Sequence, residues 1–144
     1  MIDAKTTIGW CETFSFPELT LKNVQAKIDT GARTSCLHAF YVEKFRAKDG
    51  SARVRFGVHP LQGSDELAVH CEAALHDERY VTDSGGHRTK RCVILTTFEA
   101  DGHSFQAELT LTDRDSMKFR MLLGRTAMHE RFVVDPSASY LLSQ

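Results

Sequence analysis

Long apolar runs are missing from this sequence. None of its 144 residues falls in a stretch approaching the roughly 20 that a membrane-spanning helix needs. The opening MIDAKTTIGW lacks the basic start and apolar core of a secretion signal, so a cytoplasmic protein is expected. Cysteine is sparse and scattered: Cys11, Cys36, Cys71 and Cys92 include no Cys-x-x-Cys pair, which favours buried thiols over disulfides or paired zinc ligands. Charge of either sign is not in excess. The formal net charge of −1 gives no reason to expect nucleic acid or a membrane surface as partner.

Several catalytic and cofactor motifs are also absent. There is no Gly-x-x-x-x-Gly-Lys, and Gly85-Gly86 is too short to cradle phosphates. His129-Glu130 begins a His-Glu-x-x-His pattern, but Val133 stands where the second His belongs. No Gly-x-Ser-x-Gly elbow occurs. Neither a metal nor a cofactor is therefore expected. Two long-range constellations stay open, because spacing does not test them. One is a zinc site built across strands from His38, His70 and Cys71. The other is a Cys36–His38 nucleophile–base pair on one strand face.

What the chain does have is many short runs rich in Val, Phe, Thr and Leu. Strands are expected over Thr6–Phe14, Asn23–Ile28, Cys36–Arg46, Ala52–Val58, Leu67–Ala74, Arg91–Glu99, Ser104–Thr112, Phe119–Leu123 and Phe132–Val134, with Tyr140–Leu142 as a last one. Alternation is clearest where Phe105, Ala107, Leu109 and Leu111 interleave with Gln106, Glu108, Thr110 and Thr112. Asp49-Gly50 and Asp101-Gly102 are hairpin signals, and Asp83-Ser84-Gly85-Gly86 reads as the tip of a longer hairpin. One helix is expected, Arg125–Arg131, directly after Gly124. Trp10 and Phe14 read as core or dimer packing, Asp135-Pro136 as a turn, and Asp113-Arg114-Asp115 as a loop ion pair. With no repeat or linker, residues 1–144 form one mostly-β domain, a sandwich or barrel.

Within that frame, Ala26–Ser35 holds the stretch Asp29-Thr30-Gly31 at the end of a strand. Two readings compete. Asp and Gly both punctuate turns, so the triplet can simply end a strand. Alternatively, Asp29 is half of a catalytic carboxylate pair. The context favours the second reading. A strand precedes Asp29, Ala32 follows the triplet, Ser35 offers a hydroxyl, and Met121-Leu122-Leu123-Gly124-Arg125 forms a later apolar strand running into the helix.

That combination resembles the retropepsin-type aspartic proteases, in which an Asp-Thr-Gly-Ala loop carries the catalytic acid. In those proteins a later apolar-apolar-Gly strand packs beneath the loop, and a hairpin flap lies between the two in sequence. A narrower resemblance runs through Ile8-Gly9-Trp10, Ala26–His38, Glu108–Arg114, Met121–Arg125 and Val133–Ser137. These stretches are similar to the bacterial RimK-associated, RimB-type proteins, whose older label names an ATP-dependent zinc protease. The resemblance implies a single retropepsin-like β-barrel with one short C-terminal helix. It also implies a peptidase linked to a RimK-type ligase and to oligoglutamate tails on ribosomal protein S6.

Aspartic proteolysis needs two carboxylates sharing a proton, since like charges that close cannot both ionise. One Asp-Thr-Gly in a chain this short calls for a second chain, hence a homodimer with both Asp29 side chains on its axis. Thr30 would brace the pair and Gly31 would admit the substrate backbone. Substrate contacts are expected from Ala32 and Arg33 after the motif, from Gly85, Gly86, Arg88, Lys90 and Arg91 on the flap, and from Arg125 after Gly124. The cations among them suit a run of Glu side chains, because Arg can grip carboxylates bidentately. Three other readings stand beside this one: a solvated basic hairpin without a ligand, a non-catalytic β-barrel that binds acidic tails, and the zinc peptidase of the older label.

Overall fold

The computed structural model describes residues 4–82, 85–113 and 118–143. The strands in chain order are β1 (Thr6–Ile8), β2 (Cys11–Phe16), β3 (Leu21–Ile28), β4 (Ser35–His38), β5 (Tyr41–Arg46), β6 (Ala52–Val58), β7 (Val69–Ala74), β8 (Asp77–Thr82), β9 (Arg88–Ala100), β10 (His103–Thr112) and β11 (Met121–Leu123). Helix α1 (Arg125–Met128) and strand β12 (Phe132–Val134) follow.

The main sheet runs β10-β4-β11-β3-β2-β9-β8, and β9 also pairs with β10, which closes six of these strands into a ring. Apolar positions along these strands turn into the ring. Phe14, Phe16, Val24, Leu37, Ile94, Phe98, Leu109, Met121 and Leu123 are fully buried. Phe98 stands edge-on to Phe16 with centroids 4.9 Å apart, so β2 and β9 are joined more by side chains than by their single backbone pairing, Ser15 with Glu99. The β9–β10 hairpin turns at Asp101 and Gly102, with φ of 44° and 78°. Consecutive left-handed residues are what a tight two-residue hairpin requires. Strands β5, β6 and β7 form a separate antiparallel sheet.

Most expected strands are present, with five instructive differences. Thr6–Phe14 and Cys36–Arg46 each divide in two. In the first, Gly9 faces the Ala138 carbonyl, where a Cβ would lie 2.2 Å from its oxygen. The helix stops at Met128 rather than Arg131, because His129 leaves helical geometry at ψ 126° and Glu130 follows with a left-handed φ of 64°. Tyr140–Leu142 is not a strand; Leu141–Ser143 forms a 3-10 turn. Trp10 is not core: it is 43% exposed and stands edge-on to Phe119, whereas Phe14 is fully buried. Asp135 makes the expected turn, its Oδ1 accepting from the Ser137 N–H and Oγ–H. All four cysteines are buried and outside any disulfide.

The turn before β2 and the 3-10 turn at Leu141–Ser143 are fastened together at one carboxylate. Glu12 is fully buried on β2 and accepts N–H bonds from Gly9 at 2.7 Å, Leu141 at 2.9 Å and Leu142 at 3.0 Å. Beside it, β1 and β12 pair in parallel. No helix is long and apolar enough to cross a membrane among the described residues.

Candidate active site

Strand β3 ends at Ile28, and the next residues are tied down bond by bond. The Asp29 N–H donates to the Leu123 carbonyl on β11 at 2.9 Å. The Ala32 N–H returns to the Asp29 carbonyl at 3.2 Å, which makes the loop a tight turn. Within that turn the Gly31 N–H donates to Asp29 Oδ1 at 2.9 Å. A Cβ on Gly31 would lie 3.2 Å from the same oxygen, so glycine lets amide and carboxylate approach without crowding.

A second layer holds the loop from beneath. Strand β11 lies between β3 and β4, parallel to the first and antiparallel to the second. Where it runs into α1, the Gly124 N–H donates to the buried Ser35 Oγ at 3.0 Å. The Arg125 and Thr126 N–H groups donate to the carbonyls of Ala32 and Arg33, each at 2.9 Å. Arg125 Nη1 reaches the Thr30 carbonyl at 2.9 Å. Gly124 leaves no room for a side chain, since a Cβ there would meet the Thr34 carbonyl carbon at 2.6 Å. Asp29 is half-buried and Thr30 exposed, so this scaffold presents the carboxylate at a surface. A cavity of about 270 Å³ adjoins Thr30 and Arg125, between Lys5, Met128 and Phe132.

The hairpin of β8 and β9 carries Gly85 and Gly86 in its turn, with Gly86 at φ 84°. Ser84 and the Asp83 before it lie outside the described residues, as do Arg114 and Asp115 of the expected loop ion pair. Alternation sends the flap cations to different faces. On one face Arg88 stacks over Tyr80 at 4.2 Å, and Lys90 lies 3.8 Å from Glu78. On the other, Arg91 Nη1 approaches Cys36 Sγ on β4 at 3.4 Å. The structure therefore brings Asp29, Thr30, Gly31, Ala32, Arg33 and Arg125 into one cluster. It places Arg91 on the flap face toward β4 and puts Arg88 and Lys90 on the far face. Arg125 acts as a brace of the Thr30 carbonyl.

The pairing of Arg79 with Glu108 near this site went unnoticed in the sequence. Arg79 pairs with Arg91 across the hairpin and grips Glu108 on β10 with both guanidinium nitrogens, at 2.9 and 2.5 Å. The stretch Asp77-Glu78-Arg79 looks too charged for a strand, but Arg79 and Arg91 are equidistant from Gly85, so a hairpin register counted from that glycine pairs them.

The zinc constellation of His38, His70 and Cys71 does not assemble. His70 Nδ1 bonds to the Tyr41 hydroxyl at 2.8 Å on the β5–β7 sheet, Cys71 Sγ points to the Leu19 carbonyl, and His38 is buried on β4. Among the described residues no three His, Cys, Asp or Glu side chains group as metal ligands would. Burial pushes the Cys71 thiol up to about 11, which makes it a poor nucleophile at neutral pH.

Comparison with known proteins bears on the family and the fold. The chain is 43% identical over all 144 residues to a Shewanella halifaxensis protein named "Probable alpha-L-glutamate ligase", and 40% identical over 141 residues to one of the same name from Desulfotalea psychrophila. It spans only 31% and 30% of the length of those two relatives. A crystal structure of a Legionella pneumophila protein of unknown function superposes with a TM-score of 0.79, covering 96% of this chain and 99% of that one. At 22% identity that likeness concerns the fold. Residues 7–144 match the RimB-like family profile, described as retropepsin-like aspartic endopeptidase RimB, and the chain belongs to that family.

Proposed function

We propose that this chain is an aspartic peptidase that works as a homodimer and shortens or cleaves acidic, oligoglutamate-type tails on a protein such as ribosomal protein S6. The observation that carries the reading is the suspension of Asp29: its N–H on Leu123, its Oδ1 on the Gly31 N–H, and its loop underpinned by the Gly124–Ser35 and Arg125–Thr30 bonds. A strand end that only turned the chain would need none of the second layer.

One such loop per chain supplies one carboxylate, so the partner chain supplies the other across a two-fold axis. The ionised member of the pair takes a proton from water as the water attacks the peptide carbonyl. The protonated member donates to the carbonyl oxygen, and the roles then reverse as the amine leaves. Thr30, exposed beside Asp29, is placed to brace its counterpart. The whole chain, residues 1–144, acts as one peptidase domain in the cytoplasm, with neither nucleic acid nor a membrane as partner. Relatives that carry a glutamate-ligase name over a polypeptide some three times as long support a functional link between this activity and a RimK-type ligase.

The test compares wild type with Asp29→Asn on a protein ending in an oligoglutamate tail, with EDTA present and ATP absent, following tail length by mass spectrometry. The substitution keeps the shape and removes the acid. Loss of a general acid–base group typically costs about 10²- to 10⁴-fold. Equal cleavage by both proteins would sink the Asp29 mechanism. Tail binding without cleavage by either would favour the binding-module reading.

A further inference from the structure

Beside the Asp29 loop lies a cluster of charges that the loop itself does not use. Glu108 stands on β10, next to the point where Leu109 pairs with Ser35 of β4, at the exit of the loop. Its carboxylate takes the bidentate grip of Arg79, and His76 Nε2 lies 3.3 Å from Oε2. The carboxyl is held below the usual carboxylate range, first by the Arg79 hydrogen bonds and then by the charges of Arg79, His76 and Arg33. Arg33 is exposed, two residues after Gly31. Arg91 faces the same way as Arg79 from the neighbouring strand of the hairpin. Arg79 also holds Asp77 through Nε at 2.8 Å.

Arg79 grips both carboxylates, His76 approaches Glu108, Arg33 acts on Glu108 through its charge and Arg91 shares the Arg79 face, which leaves an excess of positive charge at the edge of the candidate site. An internal ion pair at that place does more than fasten the flap. It holds the Arg79 guanidinium in the two-pronged geometry that suits a carboxylate.

We propose that Glu108 is an internal stand-in for a substrate carboxylate, and that Arg33 and Arg79 form the subsite selecting a Glu side chain next to the cleaved bond. This deepens the peptidase reading and rests on it for the identity of the site. An incoming carboxylate docks on exposed Arg33 and takes over part of the Arg79 guanidinium that Glu108 otherwise occupies. The selection acts by competition. A neutral side chain offers nothing to draw Arg79 from Glu108, whereas an acidic one makes equivalent charge-assisted bonds.

Competition makes the sign of one substitution diagnostic. Removing the charge of Glu108 should tighten binding of an acidic peptide, where a purely structural ion pair predicts no change or a loss. The probe is a fluorescein-labelled tetraglutamate peptide, with tetraglutamine as control, titrated by anisotropy against full-length Asp29→Asn protein so that no turnover intervenes. Tetraglutamate should bind in preference to tetraglutamine. Arg33→Gln and Arg79→Gln should each weaken it about tenfold, equivalent to about 1.4 kcal/mol. Glu108→Gln should strengthen it several-fold.

Arg33 is exposed, so its variant does not put folding at stake, and thermal melts of the other two show whether they remain folded. Equal affinity for the two peptides, no binding of either, or a folded Glu108→Gln protein that binds no tighter overturns the proposal. The outcome is separable from that of the aspartic mechanism. Wild-type trimming alongside flat affinities removes only this subsite, while catalysis indifferent to Asp29→Asn leaves the binding result standing.

Discussion

Replacing Ser35 with alanine should loosen the candidate site from below without touching Asp29. Ser35 Oγ is fully buried and accepts the Gly124 N–H at 3.0 Å. Alanine keeps the volume nearly unchanged but strands that N–H where water has little access. A buried donor left unsatisfied costs about 1–3 kcal/mol. With an unfolding entropy of about 2.1 cal/mol/K per residue, a chain of 144 residues has roughly 0.3 kcal/mol/K at its melting point. The melt should therefore fall by about 3–10 °C. The local effect should exceed the global one: hydrogen exchange at Gly124 and Asp29 should quicken more than exchange at Leu109 on β10. Activity should fall as well, because Asp29 hangs from Leu123, the residue before Gly124. Gly124→Ala presses on the same turn from the other side, with a Cβ 2.6 Å from the Thr34 carbonyl carbon, and should cost at least as much. A Ser35→Ala protein that melts within 1 °C of wild type, with Gly124 exchange unchanged, would refute the idea that this bond positions the loop.

Two further outcomes follow from buried and paired carboxylates. Glu12→Gln turns one of two acceptor oxygens into a donor facing N–H groups of Gly9, Leu141 or Leu142, and should cost about 2–4 kcal/mol in a denaturant melt, with the C-terminal turn exchanging faster. A loss under 0.5 kcal/mol would show that the clamp is dispensable. Glu108 has a folded pKa below its unfolded value, chiefly through Arg79, so its contribution to stability is present above the ordinary Glu range and fades as pH falls through the depressed folded value. The gap in melting temperature between wild type and Glu108→Gln should accordingly be widest near neutral pH and close in acid; a gap independent of pH would contradict the pairing.

The barrel and its central loop were legible for different reasons. Alternation in Phe105–Thr112 and the two Asp-Gly turns are local signals, and the strands and hairpins they mark are present. The Asp-Thr-Gly stretch was visible as a motif, but its supports come from Leu123, Gly124 and Arg125, about ninety positions away, so only the fold shows what holds Asp29. Strand β8 escaped because Asp77-Glu78-Arg79 carries charges that are paid off by tertiary partners, Lys44 and Lys90 for Glu78 and Glu108 for Arg79. The expected basic stripe on the flap divided for a simpler reason. Arg88 and Lys90 are two apart and share a face, while Arg91 next to them must take the other. Charge along a strand is not charge on one surface.

In the proposed dimer the second chain has a limited part to play. The β1–β12 pairing and the three N–H groups on Glu12 are contacts made within this chain. The Asp29 loop is likewise held by bonds from within its own chain, to Leu123, Gly31 and Arg125. In the proposed dimer the partner is therefore not needed to shape the loop. It contributes the second carboxylate and the second wall of the cleft. Dilution should then abolish activity before it lowers the stability of the monomer, and the two transitions should separate when activity and thermal melting are followed over the same range of protein concentration. Their coincidence would mean that the partner builds the loop as well as completing it.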